Sequence, residues 1–376
     1  MHTIRHAAVL LAGLGAVALA GCGSDATSPT SSSTSSGSAS GSASGTPSGS
    51  ATSAPLSTGT TVTVVAHDSF AVNEDLIKAF ETSSGMKVSI VAPGDAGTVL
   101  NQLILAKDSP LGDVVFGIDN TFAGRAESAG ILSPYAAPDL PASAAALKAD
   151  DSDTLTPIDY GDVCVNADKG WFAKKGIAIP KTLDDLTKAD YQDLLVVENP
   201  ASSSPGLAFL AATVGAKGDP GYLDYWGALK DNGVEAVKGW TEAYSTEFSG
   251  SSGKGPKPLV VSYSTSPAFE VPKGGTESAT VALLDTCFRQ VEYAGVIKGA
   301  TNETGARKFI DFLLSKPVQK DIPGSMYMYP VLDTATLPAD WVTFAPLSKA
   351  PIAVPAAEIS AKRDQWIKDW TAKVIG

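Results

Sequence analysis

The chain has 376 residues and a formal net charge of −12, with no basic patch along its length. That balance argues against nucleic acid as a partner and permits a cationic small molecule. Of three histidines, His2 and His6 lie at the extreme N-terminus, so a site built on several histidines is excluded from the remainder, and a Ser-His-Asp hydrolase would have to use His67.

A short basic start (His2, Arg5, His6) leads into an apolar run from Ala7 to Ala20. The run is too short for a comfortable membrane span and ends in small residues, as secretory signals do. Leu19-Ala20-Gly21-Cys22 resembles the bacterial lipobox, which implies removal of residues 1–21, lipidation of Cys22 and an anchor on a membrane outside the cytoplasm. Ser24 to Gly59 is almost wholly Ser, Thr, Gly, Ala and Pro. It cannot bury enough apolar surface to offset its ordering entropy, so 22–59 reads as the lipidated cysteine and a flexible tether with a reach of about 35 Å.

The body from Thr60 to Gly376 exceeds the size at which chains usually divide, so two lobes are expected. Its β-branched opening, Thr61 to Val65, predicts a strand. Val72, Leu76, Ile77 and Phe80 recur at helical spacing and Gly85 closes that helix. Strand, helix, strand and helix follow at Val88–Val91, Thr98–Lys107, Val114–Ile118 and Thr121–Ala129. A second alternating block has strands at Asp162–Asn166, Leu194–Val197 and Leu259–Tyr263, with helices near Leu183–Lys188, Gly206–Val214, Tyr222–Lys230 and Trp240–Phe248. Gln290–Val296 reads as a strand, Glu303–Leu314 as a helix ending near Pro317, and the tail from Ala356 to Val374 as a helix packed through Ile359, Trp366, Ile367, Trp370 and Val374. Alternation of this kind defines an α/β fold with buried sheet. In an oxidising compartment Cys164 and Cys287 are expected to form a disulfide, two separate buried thiols being the alternative.

Eight segments then appear in order: Asp68-Ser-Phe70, Gly117-Ile-Asp-Asn120, Asp159-Tyr-Gly161, Ser203-Ser-Pro-Gly206, Lys238-Gly-Trp-Thr-Glu-Ala-Tyr244, Ser262-Tyr-Ser-Thr-Ser-Pro267, Gln290-Val-Glu292 and Met328-Tyr-Pro-Val331. Together they resemble the thiamine-binding solute receptors of ABC importers across nearly the whole body. The resemblance implies a two-lobed periplasmic-binding-protein-like fold of type II, with lobe one at 60–160 plus 290–322 and lobe two at 161–289 plus 323–376. Its crossing hinge strands would be Asp162–Asn166 and Phe288–Ala294, which places Cys164 and Cys287 at the hinge.

Thiamine carries a permanent cationic thiazolium, an aminopyrimidine and an alcohol that can bear one or two phosphates, so its receptor needs aromatic faces, an acid and hydroxyls or amides. The resemblance assigns ligand contacts to Asp95 and Ala96, to Ser203 and Ser204, to Trp240, and to Tyr263, Ser264, Thr265 and Ser266. Ser203 also suits ordinary N-capping of the helix that Pro205-Gly206 opens, whose free amides could accept a hydroxyl or phosphate. Tyr244, four residues after Trp240, reads as core. In four places the chain departs from the resemblance: Ser264 replaces a threonine, Ala96 a glycine, His67 a tyrosine, and Tyr327 a tryptophan. The expected protein is a monomeric receptor without catalytic activity or cofactor, holding thiamine, its monophosphate or its diphosphate for an ABC permease. The rival readings are a ferric receptor using Tyr327 and Tyr329, a polyamine receptor, a cell-envelope hydrolase using His67, and a purely structural lipoprotein.

Overall fold

The computed structural model describes residues 58–376. The signal segment, the proposed lipidation site Cys22 and the tether to residue 57 lie outside the described residues.

The strands are β1 (Thr61–Ala66), β2 (Lys87–Val91), β3 (Val114–Asp119), β4 (Leu132–Ser133), β5 (Thr156–Asp168), β6 (Leu195–Glu198), β7 (Glu235–Val237), β8 (Leu259–Tyr263), β9 (Thr280–Ile297) and β10 (Tyr329–Pro330). The helices are α1 (Glu74–Ser84), α2 (Ala96–Leu105), α3 (Ala123–Ala129), α4 (Lys169–Lys175), α5 (Ser204–Lys217), α6 (Gly221–Asp231), α7 (Trp240–Glu242), α8 (Glu303–Leu314), α9 (Lys316–Ser325), α10 (Trp341–Phe344) and α11 (Ala356–Trp370). All strands belong to one mixed sheet in the order β2-β1-β3-β9-β5-β8-β6-β7, with β10 on β5 and β4 on β9.

β5 and β9 are antiparallel to one another and connect two otherwise parallel sets. On one side β1 pairs in parallel with β2 and β3; on the other, β6 pairs in parallel with β7 and β8. The Thr156–Asp162 part of β5 faces Arg289–Ala294 of β9, which in turn borders β3. Its Val163–Asp168 part faces Thr280–Phe288 and borders β8. Each of these strands therefore passes from one lobe into the other. β5 is longer than the sequence pattern predicts, because Pro157, Gly161 and the acids Asp159 and Asp162 interrupt the apolar run. Those acids are fully buried.

Ordinary packing rules account for the elements around this pair. In α8, Ala306, Phe309, Ile310 and Leu313 are buried on one face, and the Asn302 side chain accepts from Gly305 N at the N-terminus. α5 is buried from Ser204 to Val214 because it lies between the sheet and α6 and α11. α11 buries Ile359, Trp366 and Trp370 and also touches α3, where Arg363 lies over the Phe122 ring. β10, which the expected boundary assigned to lobe two, pairs with Asp159 and Tyr160 instead. Met328 and Val331 beside it are buried in the core that holds Phe309 and Ile310, which draws the segment to lobe one.

Cys164 and Cys287 form a disulfide between β5 and β9. The ladder shifts register between Val163 and Val165, where Val165 N donates to Thr286 Oγ1 in place of a strand partner. The bond closes a sequence separation of 123 residues. Replacing both cysteines with serine should lower the unfolding free energy by about 3–5 kcal/mol through the freed denatured chain, measured by urea unfolding. Thiol titration of an unreduced, unfolded Cys22→Ser form should find neither cysteine reactive.

Candidate functional site

The carboxyl ends of the parallel strands in both lobes converge on one gap, the place where open α/β sheets receive ligands. His67 follows β1, Asp95 lies between β2 and α2, and Asp119 ends β3. Across the gap, Ser203 and Ser204 follow β6, Trp240 follows β7, and Tyr263 ends β8. An inner cavity of about 30 Å³ is lined by His67, Ser69, Asp95, Ser204, Trp240 and Tyr263, with Glu292 and the 326–328 segment closing it. A groove of about 680 Å³, lined by Asp68, Gly94, Asp95, Thr98, Lys238 and Thr241, adjoins it at Asp95. Pockets for drug-sized ligands span hundreds of cubic ångströms, so the inner cavity must widen by parting of the lobes to admit one. A separate cavity of about 480 Å³ behind β9, lined by Leu147, Arg289 and Ile352 among others, shares none of these aromatic groups.

Asp95 joins the two sides. Its Oδ1 accepts from Ala96 N at 2.6 Å and Ser204 N at 3.3 Å, and its Oδ2 accepts from Trp240 N at 3.1 Å. Burial raises its pKa, opposed by the Ser203 hydroxyl, the Trp240 amide, His67 and the Ala96 amide. Next to it, Gly97 is irreplaceable on steric grounds: a Cβ there would stand 2.7 Å from the Ala201 carbonyl oxygen. Ala96, by contrast, is a buried first residue of α2, where a methyl group fits without strain.

Trp240 is half-buried. One face of its indole stacks on Tyr244 at 5.1 Å and 12°, and Tyr263 meets it edge-on. Its Nε1 donates to Ser262 Oγ at 2.9 Å, and Ser262 shares a 2.8 Å hydrogen bond with Ser266. Tyr244 is buried behind it, with its hydroxyl on Glu270.

Behind the cavity runs a chain of polar contacts. Ser204 Oγ donates to Asp119 and accepts from Gln290 Nε2, which also reaches Glu292 Oε1 at 3.4 Å. Glu292 Oε1 stands 3.4 Å from His67 Nε2. Asp159 sits opposite Glu292 in the β5–β9 ladder, and both its carboxylate oxygens are buried without a hydrogen-bond partner. Burial, reinforced by Glu292, raises its pKa well above the usual carboxylate range. Glu198, at the end of β6, is likewise raised by burial and then by Asp95. Burial lowers the pKa of His67, but Glu292, Asp95 and Asp68 outweigh it and leave the net shift upward. Space for the imidazole depends on Gly117, whose φ is +92° and whose Cβ would collide with the ring.

The structure brings His67, Asp95, Ser204, Trp240, Tyr263 and Tyr327 to the cavity. Ala96, Ser203, Ser264, Thr265 and Ser266 lie around it with other tasks. Ser203 caps α5 by accepting from Gly206 N; Ser264 Oγ is buried without a partner; Thr265 Oγ1 donates to Tyr327 O; Ser266 fixes Ser262. The first turn of α5 offers no spare amide, since Asp95 holds Ser204 N, Pro205 has none and Ser203 holds Gly206 N. Tyr327 has φ +63°, uncommon for a residue with a side chain, and lies against Phe269. Tyr329 points elsewhere, donating to Ala345 O and stacking on Tyr160. Glu292, Ser69, Met326 and Met328 were not among the expected contacts. For Glu292 the sequence signal was an acid within an otherwise apolar strand.

Residues 109–347 match the family described as bacterial extracellular solute-binding protein. A thiamine-binding periplasmic protein of Escherichia coli (strain K12) is 31% identical over 321 residues, covering 83% of this chain and 93% of the relative. One from Brucella suis is 28% identical, covering 83% and 91%. Among solved structures, a periplasmic thiamin binding protein aligns with TM-score 0.73 at 29% identity, over 85% of this chain and 99% of that one. A ferric binding protein from Campylobacter jejuni, at 18% identity and TM-score 0.65 over 83% and 99%, shares the fold. The fold and cleft are those of a two-lobed extracytoplasmic receptor that binds a solute without transforming it. The chain belongs to the bacterial extracellular solute-binding proteins.

The buried Asp119 gives a pH signature. Burial raises its pKa from 3.8 to about 6, against hydrogen bonds from Ser204 and Thr121. The folded state thus holds this proton more tightly than the unfolded state, and stability from it is lost as pH rises from about 4 to 6. Asp119→Asn keeps the shape and discards the charge. It should raise unfolding free energy by about 1–3 kcal/mol at pH 7.5 and change it little at pH 4, by denaturant titration.

Proposed function

We propose that this receptor captures thiamine between its lobes and delivers it to the permease of an ABC importer. The observation that carries the reading is the Trp240 indole, backed by Tyr244 and fixed by Ser262, on a cavity whose lining has Asp95 and Glu292 but neither lysine nor arginine among the described residues. An aromatic face in a dry acidic gap is the physical complement of a permanent heterocyclic cation. Tyr263 and Tyr327 supply further rings, and Ser69 and Ser204 supply hydroxyls near the same space. The relatives named for thiamine support the same ligand.

Unphosphorylated thiamine is the preferred form in this reading. A phosphate would need helix amides that Asp95 and Ser203 already occupy, and it would lie near Asp95, Asp119 and Glu292. Capture proceeds as a population shift: the lobes, 60–160 with 290–322 and 161–289 with most of the tail, turn about β5 and β9, and the ligand contacts both only when they close. A lipid on Cys22 would keep the monomeric receptor near its transporter.

Isothermal titration should give measurable binding of thiamine, weaker binding of the monophosphate and weaker still of the diphosphate. Trp240→Ala should weaken thiamine binding by about 1–2 kcal/mol, a 5- to 30-fold rise in Kd; an unchanged Kd would assign that indole to packing alone. For the anchor, Cys22→Ala should move the protein from the detergent phase to the aqueous phase in phase partitioning.

A further inference from the structure

The cavity contains one acid, Glu292, to which the ligand reading gives no individual role, and one residue able to cancel its charge. Glu292 is 5% exposed, and its Oε1 is 3.4 Å from His67 Nε2. His67 Nδ1 accepts the Ser69 amide at 3.2 Å, which fixes the neutral tautomer with its proton on Nε2, a buried atom without a hydrogen-bond partner that lies within ion-pair distance of Glu292. Among the described residues lining the cavity, His67 is the sole one able to carry a positive charge. A charged imidazole would satisfy Glu292, but its Nδ1 would then present a proton to the Ser69 N–H and that turn would lose its acceptor.

We infer that Glu292 is a specificity-determining carboxylate for a cationic ligand and that His67 is its resident counter-charge, so that cation and imidazolium compete for one acid. Binding of the cation leaves His67 neutral, and its second proton passes to solvent. The inference rests on the reading of the ligand as thiamine and adds which acid selects it and at what pH that acid is available.

The surroundings of His67 fit this exchange. Asp68 follows it in the chain, Asp95 approaches from the start of α2, Glu292 comes from β9, and Asp159 backs Glu292 from β5. Tyr263 faces the cavity from β8 and Tyr327 from the segment after α9; both phenols are held neutral, their pKa values raised by burial. Asp119 lies further along the chain of contacts, beyond Gln290 and Ser204. Burial and Glu292 hold the Asp159 pKa well above the usual carboxylate range, and the acidic and basic groups that face the gap itself are Glu292, Asp95 and His67.

The test is calorimetric titration of the full protein with thiamine from pH 5.5 to 8.5, in pairs of buffers with different ionisation enthalpies. The parent should release up to one proton over the range in which His67 titrates, at and above its ordinary value near 6.5, with Kd falling by up to tenfold per pH unit and levelling above it. The ligand's own titration is common to all variants. His67→Gln should remove the excess slope and the excess proton release, leaving only what the ligand contributes. Glu292→Gln should raise Kd at pH 8 at least tenfold and flatten the profile. Thiamine binding with identical pH profiles in the parent and His67→Gln would overturn the inference and leave the ligand reading intact, as would an unaltered Kd in a folded Glu292→Gln protein. Absence of thiamine binding at every pH would overturn both.

Discussion

The antiparallel pairing of β5 with β9 is the constraint on which the other features depend. Each strand contributes one part to the sheet of each lobe, so the parallel sets β2-β1-β3 and β8-β6-β7 are held with their carboxyl ends toward a common gap. The carboxyl ends of these six parallel strands and the segments that follow them deliver His67, Asp95, Asp119, Ser204, Trp240 and Tyr263. The same pairing requires that acids on the two strands be buried. Asp162 is compensated by Arg289 and by the Ser348 amide, whereas Asp159 has neither, and burial pushes its pKa well above the usual carboxylate range.

Closure and recognition share groups. Asp95, between β2 and α2, accepts from the amides of Ser204 and Trp240, which follow β6 and β7, so one carboxylate spans the gap and also sets the indole against the cavity. Gly97 permits that approach by presenting no side chain to Ala201. The network from Asp119 through Ser204 and Gln290 to Glu292 then couples both lobes to β9. A charge placed in the gap acts on all of these groups at once, because they are buried where the effective dielectric is low.

Much of the fold was legible because burial left a periodic trace. Leu259–Tyr263 and Glu303–Leu314 have the observed bounds, one a β-branched run and the other a clear helical face. The full length of β5 is hidden, since Pro157, Gly161, Asp159 and Asp162 mimic a turn when neighbours across the sheet are unknown. α9 was missed because Pro317 looks like a terminus but occupies the first turn of a new helix. At the site, Trp240 and Asp95 were visible through their sequence surroundings. Ser264, Thr265 and Ser266 were expected at the ligand, yet whether a hydroxyl faces a cavity or a neighbouring backbone is decided by loop geometry. Glu292 presented the reverse case, an acid on a crossing strand whose surroundings depend on His67, more than two hundred positions away in the chain.

The placement of Trp240 has an optical consequence. Trp226, Trp341, Trp366 and Trp370 are almost wholly buried, and Trp171 lies on α4 beneath Lys175, none of them lining the cleft. Emission from those indoles should be indifferent to the occupant of the gap. Trp240 alone couples its excited state to that space, so the molecule carries an intrinsic fluorophore whose quenching reports arrival of a charged ring without any added label.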